Sequence, residues 1–489
     1  MRFQYYLTVC SFTLLITACG GSSDSSPASV PPDLAPIVNF SVTGAIANIS
    51  GSSIQIGDTN YSMSGASITL DGNSGSLDDL RQGMVVTVKG SRPQSSNSAL
   101  STSNEVTSVD FEDELEGPVT SIDLETSSFV VLGIRIEVNG LSLYEDVTLE
   151  TLMVGNVVEV SGFRQPDDSI LATYVELEAL SFTPGDEIEV KGHISSLDEG
   201  AQRFFIGLQE VDYSQAVLED LADGLRNNLF VEIKSTQGPN ENGVLLASEV
   251  EGKDEDIEGS EGDEVELTGI VTTLGTDSDN FDFEILDQGV RIDDSTEFEN
   301  GSAADIVLGG QLEVEGQLDA DGILVAEEIS FHIDSDIEIE AMIDSIDAGE
   351  MTVTLLGIEV QVNGLTILKD ESETNLVPLT FDDLSVGDFI EISVFLRNEN
   401  IIVSKLEKEN AEEGVELQGP VYSATQPNLV ILGVPIVTDS QTEFEGSDGI
   451  PLSADAFFTT VQLGQLISVE GLWNGEEILA DEVEFEGED

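Results

Sequence analysis

Cysteine and histidine are scarce in this sequence of 489 residues, which contains two of each. Cys10 lies in an apolar N-terminal segment that we expect to be removed, so the mature chain would keep only Cys19 and form no internal disulfide. The sequence also lacks a Gly-x-Ser-x-Gly nucleophile elbow and a His-x-x-x-His metal spacing. We interpret His193 and His332 as strand residues rather than catalytic bases, and we predict that the protein is not an enzyme.

Basic residues are scarce as well. The chain has 16 lysines and arginines against 96 acidic residues, which gives a formal net charge of −80. Nucleic-acid binding depends on lysine and arginine side chains that neutralise phosphates and release counterions, so this composition excludes a nucleic-acid partner. Anionic membrane surfaces also repel such a chain, and attachment to a membrane would need something other than charge.

The N-terminal apolar stretch from Leu7 to Ala18 is too short to span a bilayer. Together with Arg2 it is typical of a cleavable signal peptide over residues 1–18. Leu15-Ile16-Thr17-Ala18-Cys19 resembles the bacterial lipobox, in which the cysteine becomes the N-terminus and carries lipid chains. The resemblance makes Cys19 the lipid attachment site, because several acyl chains give stable anchoring. A plain secretory signal with an incidental cysteine is the alternative.

Gly20 follows the cysteine where an aspartate would retain a lipoprotein at the inner membrane. This resembles lipoproteins that Gram-negative cells pass on to the outer membrane. The resemblance implies an outer-membrane lipoprotein of the cell envelope, facing either the periplasm or the cell surface. The next residues are rich in serine, glycine and proline and bury little apolar surface, so residues 19–39 are predicted to be a flexible linker.

The rest of the chain repeats. A small residue within an alternating apolar run recurs every 72 to 78 residues, at Gly44, Gly117, Gly192, Gly269, Ala341 and Gly419. A fixed period of this length indicates tandem structural units. The predicted units, called copies 1 to 6 below, are residues 40–112, 113–184, 185–261, 262–335, 336–412 and 413–489.

Each copy contains runs of alternating apolar residues, rich in β-branched side chains and punctuated by glycine, which predict five short strands. In copy 2, Leu132-Gly133 marks a tight turn, and Gly155 and Gly162 bracket the fourth strand. Copy 3 has Asn228 and Ser235 in place of those two glycines, and asparagine tolerates the left-handed conformation. Copy 5 has Val394 at the second position.

Segments such as Ser76–Leu80 and Leu218–Leu221 predict a short helical connector between the third and fourth strands. This order is that of an OB-type barrel. The predicted fold is therefore all-β, with six tandem small OB-like barrels. Asp321-Gly322 and Asn474-Gly475 predict type I′ hairpins between the last two strands. The polar junction at residues 252–261 favours separate beads rather than a continuous solenoid.

At this point the chain resembles bacterial lipoproteins built from tandem copies of domain of unknown function 5666. The residues that carry the resemblance are the Gly-x-Ile/Val opening, the Val-Leu-Gly-Ile turn, the Asp-Ser-x-Thr-Glu-Phe segment at Asp294–Phe298 and the Val-Glu-Val-x-Gly strand. The resemblance covers residues 40–489. It implies no activity, cofactor or site residue.

The acidic residues have two interpretations. They form a solvated surface at outward strand positions, as in Glu313-Val314-Glu315, or they bind Ca²⁺ through clustered carboxylates. The candidate calcium ligands are Asp277, Asp279 and Asp282, although Phe281 occupies a ligand position of an EF-hand-like loop. The segment Asp319–Gly322 is a second, less complete candidate. Trp473 is either a structural residue or an exposed aromatic that stacks on a sugar or binds a protein.

We predict a lipid-anchored, non-enzymatic acidic repeat array that acts as a spacer or as an interaction module for a protein or polysaccharide partner. No cofactor is required for this role. The alternative is a calcium-dependent binding or adhesion module, in which carboxylates at the junctions between copies are bridged by Ca²⁺.

Overall fold

The computed structural model describes residues 37–57, 59–93, 104–124, 126–222, 224–253, 257, 259–276, 280–299, 301–331, 337–349, 351–362, 366–374, 376, 379–397, 400–411, 414–447 and 449–486. The predicted signal peptide, Cys19 and His332 lie outside these residues. The first strand begins at Ile37, so the predicted linker 19–39 is wrong for its last three residues, which pair with strand residues 91–93. No helix in the described residues is long and apolar enough to cross a membrane.

Copies 1 to 3 consist mainly of short strands. Copy 1 contains β1 (Ile37–Ser50), β2 (Ser53–Ile56), β3 (Thr59–Ser62), β4 (Ser67–Leu70), β5 (Asn73–Ser74), a 3₁₀ helix (Leu77–Asp79), β6 (Val85–Pro93) and β7 (Glu105–Phe111). Copy 2 contains β8 (Leu115–Asp123), β9 (Ser128–Val131), β10 (Ile134–Glu137), β11 (Leu143–Glu145), β12 (Val157–Arg164) and β13 (Ile170–Ala179). Copy 3 contains β14 (Ile188–His193), β15 (Ser195–Asp198), β16 (Arg203–Ile206), β17 (Gln209–Asp212), β18 (Val217–Glu219), β19 (Phe230–Ser235), β20 (Val244–Leu246) and β21 (Glu249–Gly252).

Copies 4 to 6 repeat the pattern. Copy 4 contains β22 (Glu264–Leu274), β23 (Phe283–Ile285), β24 (Gln288–Arg291), β25 (Glu297–Glu299), a 3₁₀ helix (Ala303–Asp305), β26 (Gln311–Leu318) and β27 (Leu324–Phe331). Copy 5 contains β28 (Ile337–Met342), β29 (Ser345–Asp347), β30 (Thr352–Leu355), β31 (Ile358–Gln361), β32 (Ile367–Asp370), a 3₁₀ helix (Phe381–Asp383), β33 (Phe389–Arg397) and β34 (Asn400–Glu409). Copy 6 contains β35 (Val415–Thr425), β36 (Asn428–Ile431), β37 (Val434–Val437), β38 (Glu443–Glu445), helix α1 (Ala454–Thr460), β39 (Leu466–Trp473) and β40 (Ile478–Phe485).

Copy 2 closes into a five-stranded barrel. β8, β9 and β10 form an antiparallel meander, β10 runs parallel to β13, and β12 pairs with both β13 and β8. Copies 4 and 6 close through the same circuit. This is the strand order of an OB-type barrel, which leaves no free edge within the ring and confirms the predicted fold. A further short strand, β11 in copy 2, runs parallel to the last strand of the barrel.

Among the described residues, the connector before the fourth strand is helical in copies 1, 4, 5 and 6. The 3₁₀ helix of copy 1 is capped by Ser76, whose hydroxyl and amide both donate to the Asp79 carboxylate in a capping box. The connector predicted at Leu218–Leu221 in copy 3 is wrong. There Val217–Glu219 forms strand β18, which pairs in parallel with β21. β18 is therefore the copy 3 equivalent of the additional short strand β11 of copy 2.

The turn glycines have the predicted conformations. Leu132 and Gly133 have φ values of 44° and 76°, which makes the turn between β9 and β10 a tight left-handed hairpin turn. Gly155 has φ 97°, and Asn228 replaces it in copy 3 with φ 66°. Gly162 lies at a bulge where an added Cβ would be 2.2 Å from the Leu171 carbonyl oxygen, so the position needs glycine for close approach of the backbone.

The hairpin at Asp321-Gly322 forms, but its predicted turn type is wrong. Gly322 alone of the two residues is left-handed, with φ 80°. The Asp319 amide donates to the Ile323 carbonyl at 2.9 Å, and the Gly322 amide donates to the Asp319 carbonyl at 3.1 Å. These bonds define a three-residue loop with a type I turn followed by glycine. The Asp319 carboxylate stabilises it by accepting the amides of Asp321 and Ile323.

The copies are not separate beads, which corrects the expectation drawn from the polar junction. The opening strands pair two by two: β1 with β22, β8 with β14, and β28 with β35. Copies 5 and 6 share one continuous apolar core, and copies 2 and 3 share another. The polarity of a linker did not decide the arrangement, because main-chain hydrogen bonds between opening strands join the barrels directly.

The opening glycine lies where each such strand changes partner. In copy 2, Glu116 pairs with β14 of the neighbouring copy, whereas Val119 pairs with β9 of its own barrel. A Cβ added at Gly117 would lie 2.7 Å from Leu132 Cδ1. The glycine therefore leaves room for the leucine of the hairpin turn, which is fully buried.

Candidate interaction faces and the central cleft

Outward-facing glutamates align in a row across copies 5 and 6. Successive strands place glutamates as register partners from β34 to β38, and the row crosses from one copy to the other where β28 meets β35. The row consists of Glu407, Glu391, Glu340, Glu416, Glu470, Glu482 and Glu443. Because strand residues alternate between faces, the apolar neighbours of these glutamates point into the barrels. We call this set the copy 5/6 row.

A second row crosses copies 2 and 3. It consists of Glu249, Lys234, Glu189, Glu116, Glu159, Glu176 and Glu145. One lysine interrupts it, and Arg81 of copy 1 contacts its end, with Nε 2.7 Å from Glu145 Oε2. Like charges directly opposite each other destabilise a sheet. Both rows therefore lower the stability of the fold, and a cation or basic group that binds over them would relieve the repulsion.

Burial strengthens this effect at a few positions. Burial and the neighbouring acidic side chains, Asp71 among them, raise the pKa of Glu116 to about 7 and the pKa of Glu159 to about 8. In copies 5 and 6, burial and Glu391 raise the pKa of Glu338 to about 7. The Oε1 atom of Glu159 is buried and has no hydrogen-bond partner in the part of the chain that the structure describes. These carboxyls therefore hold protons near neutral pH more tightly than ordinary glutamates do.

The calcium ligands predicted in copy 4 do not form a described site. Asp277 and Asp279 lie outside the described residues. Asp282 is exposed, and its Oδ2 accepts the Ile292 amide at 2.7 Å, which supports the hairpin of β23 and β24. In the second candidate segment, Asp319 lies 2.6 Å from Arg291 NH2, and this ion pair together with backbone amides lowers the pKa of Asp319 against the opposing effect of burial.

Trp473 is partly buried and packs against the core shared by copies 5 and 6. This placement supports the structural interpretation of the residue over a sugar-stacking one. A compact acidic cluster lies on β38 and β40, where one carboxylate oxygen from each of Glu445, Glu482 and Glu484 falls within 4.8 Å of the others. All three side chains are partly exposed, and Glu482 also belongs to the copy 5/6 row.

A cleft of about 910 Å³ lies where copies 1 to 4 meet. Four of the 16 lysines and arginines line it, namely Lys89, Arg164, Lys191 and Lys253. His193 also lines the cleft, with Nδ1 3.0 Å from Asp168 Oδ1 and its ring edge-on to Phe230. Sequence reasoning missed this concentration, because the residues come from different copies and each is isolated along the chain.

Ion pairs hold the basic side chains of the cleft, and a cation–π contact joins copy 2 to copy 3. Arg164 NH2 lies 2.6 Å from Glu114 Oε2, and the guanidinium carbon lies 5.3 Å from the centre of the Phe230 ring. Lys253 Nζ lies 2.9 Å from Glu232 Oε2. Although burial opposes it, Lys191 and Lys253 lower the pKa of Glu232 to about 2. One signal pointed to this site: Lys191 precedes the opening glycine, where copy 2 has Glu116.

The family model described as "Domain of unknown function (DUF5666)" matches residues 43–101, 116–176, 268–330, 340–404 and 418–484. These segments lie within copies 1, 2, 4, 5 and 6, and together they cover more than half of the chain, which confirms the predicted tandem copies of this domain. Copy 3, which departs from the glycine pattern at Asn228 and Ser235, is not among the matched segments. A search of the curated proteins finds no match to this chain.

Proposed function

The chain belongs to the DUF5666 family, and we propose that it is a non-enzymatic, lipid-anchored protein of the cell envelope whose paired barrels form an acidic interaction module. The observation that supports this proposal is the copy 5/6 row, which places seven glutamates in register across two barrels. A row of like charges is complementary to a cationic partner. Strand pairing fixes the backbone of these glutamates before the partner binds, so binding has to order little of the protein.

The arrangement of the copies favours an interaction module over an extended spacer. β1 pairs in parallel with β22, although more than 200 residues separate them in the sequence. The Gln82 side-chain amide donates to the Leu368 carbonyl of copy 5 at 3.0 Å. Copies that fold back on one another in this way span less distance from the membrane than six barrels in a line would.

The expected partner is a protein with a basic surface, or a polysaccharide carrying cationic groups. Electrostatic complementarity of this kind speeds association and fixes the partner's register, and salt weakens it as the Debye length falls to about 8 Å at 0.15 M ionic strength. Nucleic acids remain excluded by charge. Attachment through lipid on Cys19 would keep the acidic faces away from anionic headgroups.

The test is cross-linking of the anchored full chain in its native envelope, followed by recovery of bound material. A row variant replaces Glu340, Glu391, Glu416 and Glu470 with glutamine. A matched control replaces four exposed glutamates away from the rows, Glu199, Glu219, Glu241 and Glu261, which removes the same charge. We expect the row variant to lose the cross-linked partner and the control to keep it. Equal recovery by the two variants would contradict a role for the row.

The calcium-dependent alternative receives no support from Asp282, whose carboxylate already bonds to a backbone amide. It predicts instead that partner recovery disappears when divalent cations are chelated at constant ionic strength. Recovery that survives chelation and falls with added sodium chloride would favour the charge-based module over the alternative.

A further inference from the structure

Three carboxylates from three different copies come together beside the central cleft. Asp71 lies in the turn after β4, Asp113 lies in the connector between β7 and β8, and Glu189 lies on β14. One oxygen atom from each falls within 4.8 Å of the others. No repeat unit contains this cluster by itself, because it forms only where copies 1, 2 and 3 meet.

The cluster is buried, unlike the rest of the acidic surface. Asp113 is 2% exposed and Glu189 is 5% exposed, whereas Asp71 is partly exposed. Removing carboxylates from water is unfavourable unless an opposite charge or hydrogen-bond donors replace the solvent. The contacts of each oxygen therefore decide what the cluster requires.

Those contacts leave the cluster short of positive charge. Lys191 Nζ lies 3.4 Å from Asp113 Oδ1, and Lys234 Nζ lies 3.3 Å from Glu189 Oε2. The Asp71 Oδ1 atom accepts the Asp113 amide at 3.0 Å. Each lysine is also shared with a further glutamate outside the cluster. Two shared lysines do not balance three carboxylates.

One carboxylate oxygen of these three residues lacks a hydrogen-bond donor in the described part of the chain. The Glu189 side chain is more than nine-tenths buried, and its Oε1 atom has no hydrogen-bond partner among the described residues. Burial raises the pKa of Asp113, and a side-chain hydrogen bond with Glu189 and the charges of Glu189 and Asp71 raise it further, with Lys191 acting in the opposite direction. A buried carboxylate oxygen without a donor needs either a proton shared with a neighbouring carboxyl or a cation.

We propose that Asp71, Asp113 and Glu189 form a divalent cation site, suited to Ca²⁺, that joins copies 1, 2 and 3. Calcium takes oxygen ligands at about 2.3–2.6 Å, so two of its ligands lie at most about 5.2 Å apart, and the cluster falls inside that span. A bare ion is smaller than a water molecule and therefore fits between oxygens that exclude solvent. The site is distinct from the predicted ligands in copy 4, and it does not rest on the proposed interaction module.

The test measures ion binding by the full chain, purified in detergent and stripped with a chelator. Calorimetric titration with CaCl₂, repeated with MgCl₂, is performed at constant 0.15 M ionic strength so that diffuse screening stays unchanged. We expect one saturable calcium site per chain. Asp71→Asn and Glu189→Gln should each weaken it by roughly tenfold or more, because affinity follows the number of charged ligands. Asp71→Asn is the milder change, since that side chain is partly exposed.

The exposed cluster of Glu445, Glu482 and Glu484 supplies a matched control, because its oxygens meet the same 4.8 Å spacing without burial. Replacing all three with glutamine should leave the calcium site intact. The proposal is overturned by a wild type that shows no saturable binding, or by binding that survives both cluster variants. It is also overturned if the triple variant alone abolishes binding.

A shared proton between Asp113 and Glu189 makes the opposite prediction. In that case the wild type binds no ion. The Glu189→Gln variant then melts at a higher temperature than the wild type in chelator, and added calcium does not change its melting temperature. If Glu189→Gln fails to fold, the stoichiometry of the wild type and the affinity of Asp71→Asn decide between the two.

Discussion

Replacing Glu159 with glutamine should flatten the pH dependence of stability. Glu159 lies on β12 between Glu116 and Glu176, its register partners. Burial, the charge of Asp71 and the neighbouring glutamates raise its pKa from the ordinary 4.5 to about 8 in the folded chain. The folded state therefore binds this proton more tightly than the unfolded state does. The resulting stabilisation is complete below about pH 4.5 and is lost as the pH rises towards 8.

The size of the effect follows from linkage. Between the two pKa values, one proton is released on unfolding, so the free energy of unfolding falls by about 1.4 kcal/mol per pH unit. From pH 5 to pH 8 this single carboxyl accounts for roughly 3 kcal/mol. Glutamine has no titrating proton, so Glu159→Gln should match the wild type near pH 5 and exceed its stability at pH 8.

Urea unfolding followed by circular dichroism at pH 5, 6, 7 and 8 measures the difference. Glu241→Gln is the control, because Glu241 is exposed and its replacement removes the same charge from the whole chain. A control variant that flattens the profile as much as Glu159→Gln would mean that general repulsion among the 96 acidic residues causes the pH dependence. The reasoning from local burial would then be refuted.

Three further predictions concern packing, charge and the anchor. Gly117→Ala should lower the free energy of unfolding by about 1–3 kcal/mol through overpacking against Leu132, whereas Ala341→Gly should change it by about 1 kcal/mol or less; urea midpoints distinguish them. Lys191→Met should destabilise by about 3–5 kcal/mol at pH 7, because it leaves Asp113 buried without its cation, and the loss should shrink in acid as Asp113 is protonated; a small, pH-independent loss would contradict this. Cys19→Ala should abolish fatty-acid labelling in cells, and labelling of the variant would refute lipid attachment.

The elements that sequence reasoning predicted correctly are those decided within a few residues. Leu132-Gly133 and Asn228 adopt left-handed conformations because short-range sterics restrict which residues occupy those positions. The short helix predicted within Ser76–Leu80 is local in the same sense, because a capping box between Ser76 and Asp79 closes it. Leu218 was assigned wrongly because a tertiary partner, β21, overrode a local helical pattern.

The arrangement of the copies and the carboxylate cluster depend on long-range contacts, which the sequence pattern does not record. Asp113 and Glu189 look like any other acidic residue along the chain, and Asp71 follows an unremarkable short strand. Their proximity depends on the pairing of β8 with β14. A net charge of −80 also hides them, because so many acidic residues leave no single one distinctive.

The rows of glutamates result from a competition in which burial outweighs repulsion. In copies 5 and 6 the row residues Glu340 and Glu391 alternate with Ile339 and Ile390, both fully buried. A slip of one residue would separate the charges but expose every apolar side chain. Each like-charge pair costs about 0.2–1 kcal/mol. Each buried isoleucine contributes about 1.5–3 kcal/mol. Burial of the core therefore fixes the strand register despite the repulsion between the glutamates. A cationic partner that binds over the row reduces this repulsion, and the reduction adds to its affinity.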